Sequence, residues 1–139
     1  IIPKIKISEN IAKITLPGVK IPWRLYDRET GKAIADVITL GDEKIDSTEP
    51  YEIFDPVHTW KRKVVTNFVA RKLQVKVFEK GKLVYENPSV KEIADFCAEQ
   101  VDALWDEVKR FENPHTYYVD LSQKLWDLRH KMLTQLNIK

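Results

Sequence analysis

The chain has 139 residues, of which 43% are apolar and 32% are charged, as in an ordinary soluble globular domain. Its formal net charge of +2 is too small to indicate a nucleic acid or a membrane surface as a partner. One cysteine provides no disulfide framework, and no apolar run approaches the roughly 20 residues of a transmembrane helix. We therefore expect one domain in a reducing compartment, the cytoplasm.

The start of the chain predicts that it is part of a longer polypeptide. It begins with Ile1, and its only methionine is Met132. A complete translation product begins with methionine unless that residue is removed. The mass of the native protein tests this hypothesis.

The first segment, residues 1–17, is predicted to be an extended arm. Ile5 and Ile7 alternate with lysines, so that they share one face of an extended chain. Pro17-Gly18 then turns the chain. The arm is therefore separated from the domain that follows, residues 18–139.

An antiparallel hairpin is predicted next, with strands at residues 20–26 and 33–40. Gly31 can adopt the left-handed conformation that the turn between them requires. Pro22 predicts an edge position or a bulge in the first strand.

Further strands are predicted in the middle of the chain. After a polar loop over residues 41–50, residues 51–54 form a short strand. Residues 64–78 are rich in β-branched side chains and alternate in polarity, which indicates one long strand. A turn at residues 79–82 closes a second hairpin onto residues 83–85.

A long helix is predicted after Ser89, which has the spacing of a capping box with Glu92. Its end is expected near Asn113-Pro114, because proline disfavours helix in the preceding residue. One apolar stripe follows from the helical spacing of Val90, Ile93, Ala94, Cys97, Val101, Leu104, Trp105, Val108 and Phe111.

A second helix is predicted after Asp120, which is expected to cap it together with Gln123. Its stripe consists of Leu121, Leu125, Leu128, Met132 and Leu136. Two helices with facing stripes and a short link are typical of an antiparallel pair. The predicted fold class is α+β, with mostly antiparallel β hairpins in the first half and two packed antiparallel helices in the C-terminal half.

No catalytic, cofactor-binding or metal-binding residue is predicted. His58, His115 and His130 do not stand at metal-ligand spacing, and a structural role is expected for each. Cys97 is expected in the core because it lies on the apolar stripe. Glycine-rich phosphate loops and nucleophile motifs do not occur in the sequence.

Two charged groups are interpreted as solvated faces. The acidic face of the long helix consists of Asp95, Glu99, Asp102 and Asp106. A basic group consists of Lys61, Arg62, Lys63, Arg71, Lys72, Lys76, Lys80 and Lys82. Together with Trp60 and Phe68, the basic group leaves nucleic-acid binding as a minor alternative.

Short motifs occur in a distinctive order over nearly the whole chain. In the first half they are Lys6-Ile7-Ser8-Glu9-Asn10, Lys13-Ile14-Thr15-Leu16-Pro17-Gly18-Val19-Lys20 and Arg24-Leu25. In the middle they are Asp55-Pro56-Val57-His58-Thr59, Thr66-Asn67-Phe68-Val69-Ala70-Arg71 and Gly81-Lys82-Leu83-Val84-Tyr85-Glu86. In the tail they are Leu104-Trp105-Asp106-Glu107, Lys109-Arg110, Asn113-Pro114-His115 and Val119-Asp120-Leu121-Ser122-Gln123-Lys124. This series resembles the C-terminal region of bacterial-type nicotinate phosphoribosyltransferases.

The resemblance implies a parent enzyme that joins nicotinate to phosphoribosyl pyrophosphate, with ATP hydrolysis, in NAD salvage. Such a parent would use ATP, phosphoribosyl pyrophosphate and Mg. The family's phosphorylated histidine and phosphate loops belong to the catalytic barrel and N-terminal domain, which this chain lacks. The fragment is therefore expected to be inactive and to bind no cofactor. Its expected partners are those missing domains, with a homodimer as a further possibility. Neither a nucleic acid nor a membrane is expected as a partner.

The matched residues in and just after the arm are expected to pack or dock between domains. They are Lys6, Ser8, Lys13, Pro17, Gly18 and Arg24. A second hypothesis has Lys13 or Lys20 lending positive charge to the active site. No catalytic role is transferred to His58 or His115, because their motifs differ from that of the family's catalytic histidine.

The alternative function is a stand-alone protein-interaction module without catalysis. Its anchors would be Trp23, Trp60, Trp105 and Trp126, since tryptophan is enriched where interfaces bind most strongly. An exposed apolar patch fits both hypotheses. The polypeptide upstream of Ile1 distinguishes them.

Overall fold

The computed structural model describes residues 3–10, 13–108 and 117–138. The strands of the described part are β1 (Lys20–Asp27), β2 (Ala33–Leu40), β3 (Tyr51–Phe54), β4 (Arg62–Val65), β5 (Phe68–Lys72), β6 (Phe78–Glu79), β7 (Lys82–Leu83) and β8 (Tyr118–Leu121). The helices are α1 (Val90–Val108) and α2 (Gln123–Gln135). The predicted α+β class is confirmed, and no described helix is both long and apolar enough to cross a membrane.

The main sheet has six strands in the order β4-β3-β8-β2-β1-β5. Its neighbours pair antiparallel except for β2 and β8, which are parallel. The predicted hairpin is confirmed as β1 and β2, with Gly31 at a φ of 71° in the turn. The residue-by-residue pairing of β1 with β5 ends at Trp23, and Pro22 lies just outside it. The missing N–H of Pro22 therefore interrupts no pairing with β5.

Two apolar clusters form the core. The first joins the faces of five strands, β1 to β5, through Leu25, Ala35, Val37, Ile53, Val65 and Phe68. The second joins the sheet to α2 through Phe54, Leu121 and Leu125. The predicted apolar stripe of α2 is confirmed in part, because Leu121 and Leu125 are buried and Leu128 and Met132 are half-buried. Leu136 is exposed, and Leu133, which the prediction left out, is buried in its place.

The single strand predicted over residues 64–78 is wrong. Asn67 adopts a left-handed conformation with a φ of 51°, which turns the chain between β4 and β5. After β5 the alternating residues Leu73, Val75 and Val77 lie outside the strands and are exposed, although the Leu73 amide still donates to the Pro22 carbonyl of β1 at 2.9 Å. The predicted second hairpin is present as β6 and β7, with Lys80 and Gly81 at positive φ in its turn.

The N-terminus of α2 also differs from the prediction. Ser122, not Asp120, caps α2 and accepts a hydrogen bond from the Leu125 amide at 3.3 Å. Asp120 belongs to β8, whose residues pair with β2 from Ala35 to Ile38. The pairing extends the backbone through Leu121, and the cap therefore moves two residues onward.

The capping box of α1 is confirmed. The Ser89 amide donates to Glu92 Oε2 at 2.7 Å, and the Glu92 amide donates to Ser89 Oγ at 3.3 Å. The predicted end at Asn113-Pro114 lies outside the described residues. The expected burial of the α1 stripe against α2 is wrong, because Val90, Ile93, Val101 and Trp105 are exposed and α1 contacts β2 instead.

The N-terminal arm belongs to no strand in its described parts, and it folds back on itself so that Lys6 lies beside Thr15. The Lys6 amide donates to Thr15 Oγ1 at 2.9 Å, and the Thr15 amide donates to the Lys6 carbonyl at 3.2 Å. Ile14 and Pro17 are buried, whereas Ile7 is exposed. The end of the arm, at Pro17, is therefore its anchored part.

Candidate functional site

A buried ionic group lies at the centre of the sheet, between β1 and β2. Arg24 donates from Nε to Asp36 Oδ1 at 2.8 Å and from Nη2 to Oδ2 at 3.0 Å. Tyr117, immediately before β8, donates its hydroxyl to the same Oδ1 at 2.8 Å. The hydrogen bonds to Asp36 raise the pKa of Arg24, and burial with the Asp36 contact raises that of Tyr117. The group therefore fixes charge and geometry and supplies no free acid or base.

This group was missed in the sequence, although a signal is present. Asp36 interrupts an otherwise apolar strand, and a carboxylate at such a position requires a partner. The spacing does not reveal that Arg24 stands opposite it, because register depends on the turn.

A second polar link joins the end of β2 to the start of α2. Glu43 Oε2 accepts from the Leu40 amide at 2.5 Å and from Ser122 Oγ at 2.7 Å. Nearby, Trp23 Nε1 donates to Thr39 Oγ1 at 2.9 Å inside the core. Each polar atom here has a structural partner, which leaves none aimed at a ligand.

The carboxyl group of Asp120 in β8 is buried, with only 2% of the residue exposed. Desolvation raises its pKa, while Lys63 lowers it and Asp55 raises it through their charges. Asp120 therefore resists ionisation in the folded state.

We expect Asp120→Asn to flatten part of the pH dependence of stability. A folded-state pKa above the unfolded value means that stability is fully present below the unfolded pKa, near 3.8, and declines as pH rises through the folded pKa. The variant cannot ionise, so its unfolding free energy relative to wild type should increase between pH 4 and pH 7. Urea unfolding at both pH values measures this, and an unchanged difference would contradict it.

The two lysines that were considered as sources of positive charge for an active site, Lys13 and Lys20, differ in their surroundings. Lys20 Nζ donates to the carbonyls of Leu16 and Gly18 at 2.8 and 2.9 Å, so its charge is used to hold the turn. Lys13 is exposed. Lys20 is therefore a structural residue in this conformation.

The histidines occupy separate positions. His58 Nδ1 lies 2.7 Å from Asp55 Oδ2, and the Val57 amide donates to the other carboxylate oxygen of Asp55. These two contacts lower the pKa of Asp55. His130 packs against Trp126 with ring centroids 6.1 Å apart. His115 lies outside the described residues. The interactions of His58 and His130 are those of structural residues.

The basic group is spread over the sheet and largely occupied. Arg62 binds Glu52 and Gln123, and Lys63 lies over the ring of Tyr118. Phe68 is fully buried and offers no ring face to a nucleic-acid base. The basis for the nucleic-acid alternative is therefore reduced to Trp60 and exposed charge.

The four tryptophans divide into two pairs. Trp23 is buried, and Trp126 packs edge-on against Phe54 with centroids 6.0 Å apart. Trp60 and Trp105 are exposed. Only the second pair is available to contact another molecule.

Residues 73–108, here called the hairpin–helix unit, carry more than half of the exposed large apolar side chains of the described chain. The unit contains the β6–β7 hairpin and α1. Its exposed apolar residues are Leu73, Val75, Val77, Phe78, Leu83, Val84, Val90, Ile93, Phe96, Val101 and Trp105. Cys97 is exposed as well, so its predicted place in the core is wrong within this chain.

No metal site appears among the described residues. No group of three or more His, Cys, Asp or Glu side chains is close enough to bind a metal ion. One open depression of about 570 Å³ lies beside the arm, lined by Thr15, Leu16, Lys20, Pro22, Ile38 and Gln74. With its lysine already bound to carbonyls, the depression does not fit magnesium or a phosphate.

Comparison with known proteins gives one consistent result. Residues 19–129 match the model of the nicotinate phosphoribosyltransferase C-terminal domain. The chain is 40% identical over 122 residues to nicotinate phosphoribosyltransferase of Bacillus subtilis, covering 88% of this chain and 25% of that protein. It is 31% identical to the enzyme of the same name from Dictyostelium discoideum, covering 94% of this chain and 23% of that protein.

The fold is similar to part of the crystal structure of human nicotinic acid phosphoribosyltransferase, with a TM-score of 0.72 at 24% identity. The match covers 85% of this chain and 23% of the human one. The chain thus spans about a quarter of the length of the relatives it matches.

Proposed function

The chain belongs to the nicotinate phosphoribosyltransferase C-terminal domain family, and we propose that it is the C-terminal structural domain of such an enzyme. The parent makes nicotinate mononucleotide from nicotinate and phosphoribosyl pyrophosphate with ATP hydrolysis, in cytoplasmic NAD salvage. The observation that carries this proposal is the family match over residues 19–129, together with 40% identity to the Bacillus subtilis protein.

The domain itself contributes no catalytic group in this proposal. Transfer of a ribosyl phosphate requires positioned groups around a developing positive charge and a bound, departing pyrophosphate. The buried polar groups of the sheet instead bind one another, as Asp36 does with Arg24 and Tyr117. Magnesium, ATP and phosphoribosyl pyrophosphate are accordingly assigned to the remainder of the parent.

The division of the chain follows from the same proposal. Residues 1–17 connect the preceding barrel to the domain, and residues 18–139 form the domain. The buried Pro17 and the turn held by Lys20 support a boundary at this position.

We expect this chain alone to release no pyrophosphate from phosphoribosyl pyrophosphate when nicotinate and ATP are present. The full-length parent, assayed at the same molar concentration, is the positive control. Nicotinate-dependent release by the chain alone would contradict its assignment as a structural domain. A full-length polypeptide without this activity would contradict the assignment of the parent.

The alternative, a stand-alone interaction module, is supported by the exposed hairpin–helix unit. The two functions differ in the native polypeptide. A native protein of the length of its relatives, about four times this chain, favours the structural domain.

A further inference from the structure

The hairpin–helix unit exposes apolar side chains that are usually buried, and no other part of the described chain covers them. The unit begins directly after β5, which ends at Lys72. Among the described residues the hairpin contacts mainly itself, and α1 contacts β2. A two-stranded hairpin is marginally stable in water unless it packs against another element.

The helix carries two opposite faces. At 100° per residue, Ile93, Cys97 and Val101 project from one side of α1. Asp95, Glu99 and Asp102 project from the other side and face solvent. An amphipathic helix of this kind normally places its apolar side against a core, but here that side is exposed.

The total exposed area is larger than that of a compact monomer. The chain exposes 10697 Å². A compact monomer of 16.3 kDa exposes about 7,500 Å². The chain thus exposes about 3,200 Å² more than a compact monomer of its mass, and the exposed apolar side chains of the hairpin–helix unit contribute to this excess.

We propose that the apolar face of α1, continued by the β6–β7 hairpin, is the surface on which the preceding part of the same polypeptide docks. This inference rests on the proposed function, because that part is the three quarters of the enzyme that the relatives have beyond this chain. A tethered segment acts at an effective concentration in the millimolar range, which favours it over a second copy.

The charged side chains of α1 lie away from its apolar face, since Asp95, Glu99 and Asp102 project from the opposite side. The surface of the parent that docks on this face is therefore apolar where it meets Cys97 and Val101.

Cys97 provides a direct probe of this contact in the full-length enzyme. Its thiol is exposed in the chain described here. We expect a maleimide to label it at least about tenfold more slowly than an exposed thiol, because labelling requires the docked face to open. Peptide-resolved mass spectrometry separates Cys97 from any other cysteine of the parent.

The matched control is the double variant Cys97→Ser/Glu99→Cys. It moves the thiol two residues along the same helix, to a position about 160° away on the acidic face. Both proteins are labelled at a series of concentrations, including dilutions at which the enzyme is monomeric by light scattering.

The outcomes separate the possible occupants. Slow labelling at Cys97 and fast labelling at position 99, at every concentration, supports docking within the polypeptide. Protection of Cys97 that disappears in the monomer overturns the proposal in favour of a second copy. Equal rates at both positions overturn it outright. An inactive polypeptide with protected Cys97 would contradict the proposed function and leave the docking surface standing.

Discussion

The Asp36→Ala substitution is expected to lower the free energy of unfolding by about 3–5 kcal/mol, because it leaves the buried Arg24 guanidinium without its counter-charge. Asp36 accepts three hydrogen bonds, two from Arg24 and one from the Tyr117 hydroxyl. The side chains of Arg24 and Asp36 are only 10% and 16% exposed, so water replaces the lost partner poorly. Urea unfolding followed by circular dichroism gives the value.

The control for this prediction is Tyr117→Phe, which removes one hydrogen bond and retains the ion pair. We expect it to lower the unfolding free energy by about 1 kcal/mol. A loss for Asp36→Ala no larger than that for Tyr117→Phe would show that the ion pair contributes little. In that case the group would act only to hold the start of β8 against β2.

The elements that could be predicted from the sequence are those whose determinants are close together in the chain. Gly31 between two alternating runs defines the β1–β2 hairpin, and Ser89 with Glu92 defines the start of α1. In each case the residues that determine the structure lie within about ten positions of one another. The local pattern is then sufficient.

Elements determined by distant residues were predicted wrongly. Four residues, Tyr118–Leu121, form β8 because they pair with β2, some 80 positions earlier. Without knowledge of that pairing, Asp120 resembles a helix cap. Asn67 likewise breaks a run of β-branched residues by a backbone conformation that its neighbours do not indicate.

The apolar face of α1 illustrates what the spacing of residues in the sequence can and cannot determine. The spacing of Ile93, Cys97 and Val101 correctly predicts an apolar face on α1. It does not identify the partner, which was predicted to be α2. In the structure α2 packs instead on the sheet, where Leu125 joins Phe54 and Leu121, and the face of α1 is exposed.

Phe54 is the residue of the sheet on which the packing of α2 depends most. Phe54 is fully buried, pairs with Leu121 of β8, and packs edge-on against Trp126 with centroids 6.0 Å apart. The guanidinium of Arg62 lies 4.0 Å from the centre of its ring. Phe54 thus joins the sheet, the helix and a surface cation in one contact.

We expect Phe54→Ala to lower the free energy of unfolding by about 3–5 kcal/mol, the range for truncating a buried aromatic ring. Since the cavity opens between the sheet and α2, hydrogen exchange should increase most in α2 and less in the β1–β2 hairpin. Val64→Ala in the adjacent strand β4, where Val64 is 62% exposed, should change stability by no more than about 0.5 kcal/mol. Equal losses for the two variants, or uniform exchange across α2 and the hairpin, would show that α2 is held by contacts other than Phe54.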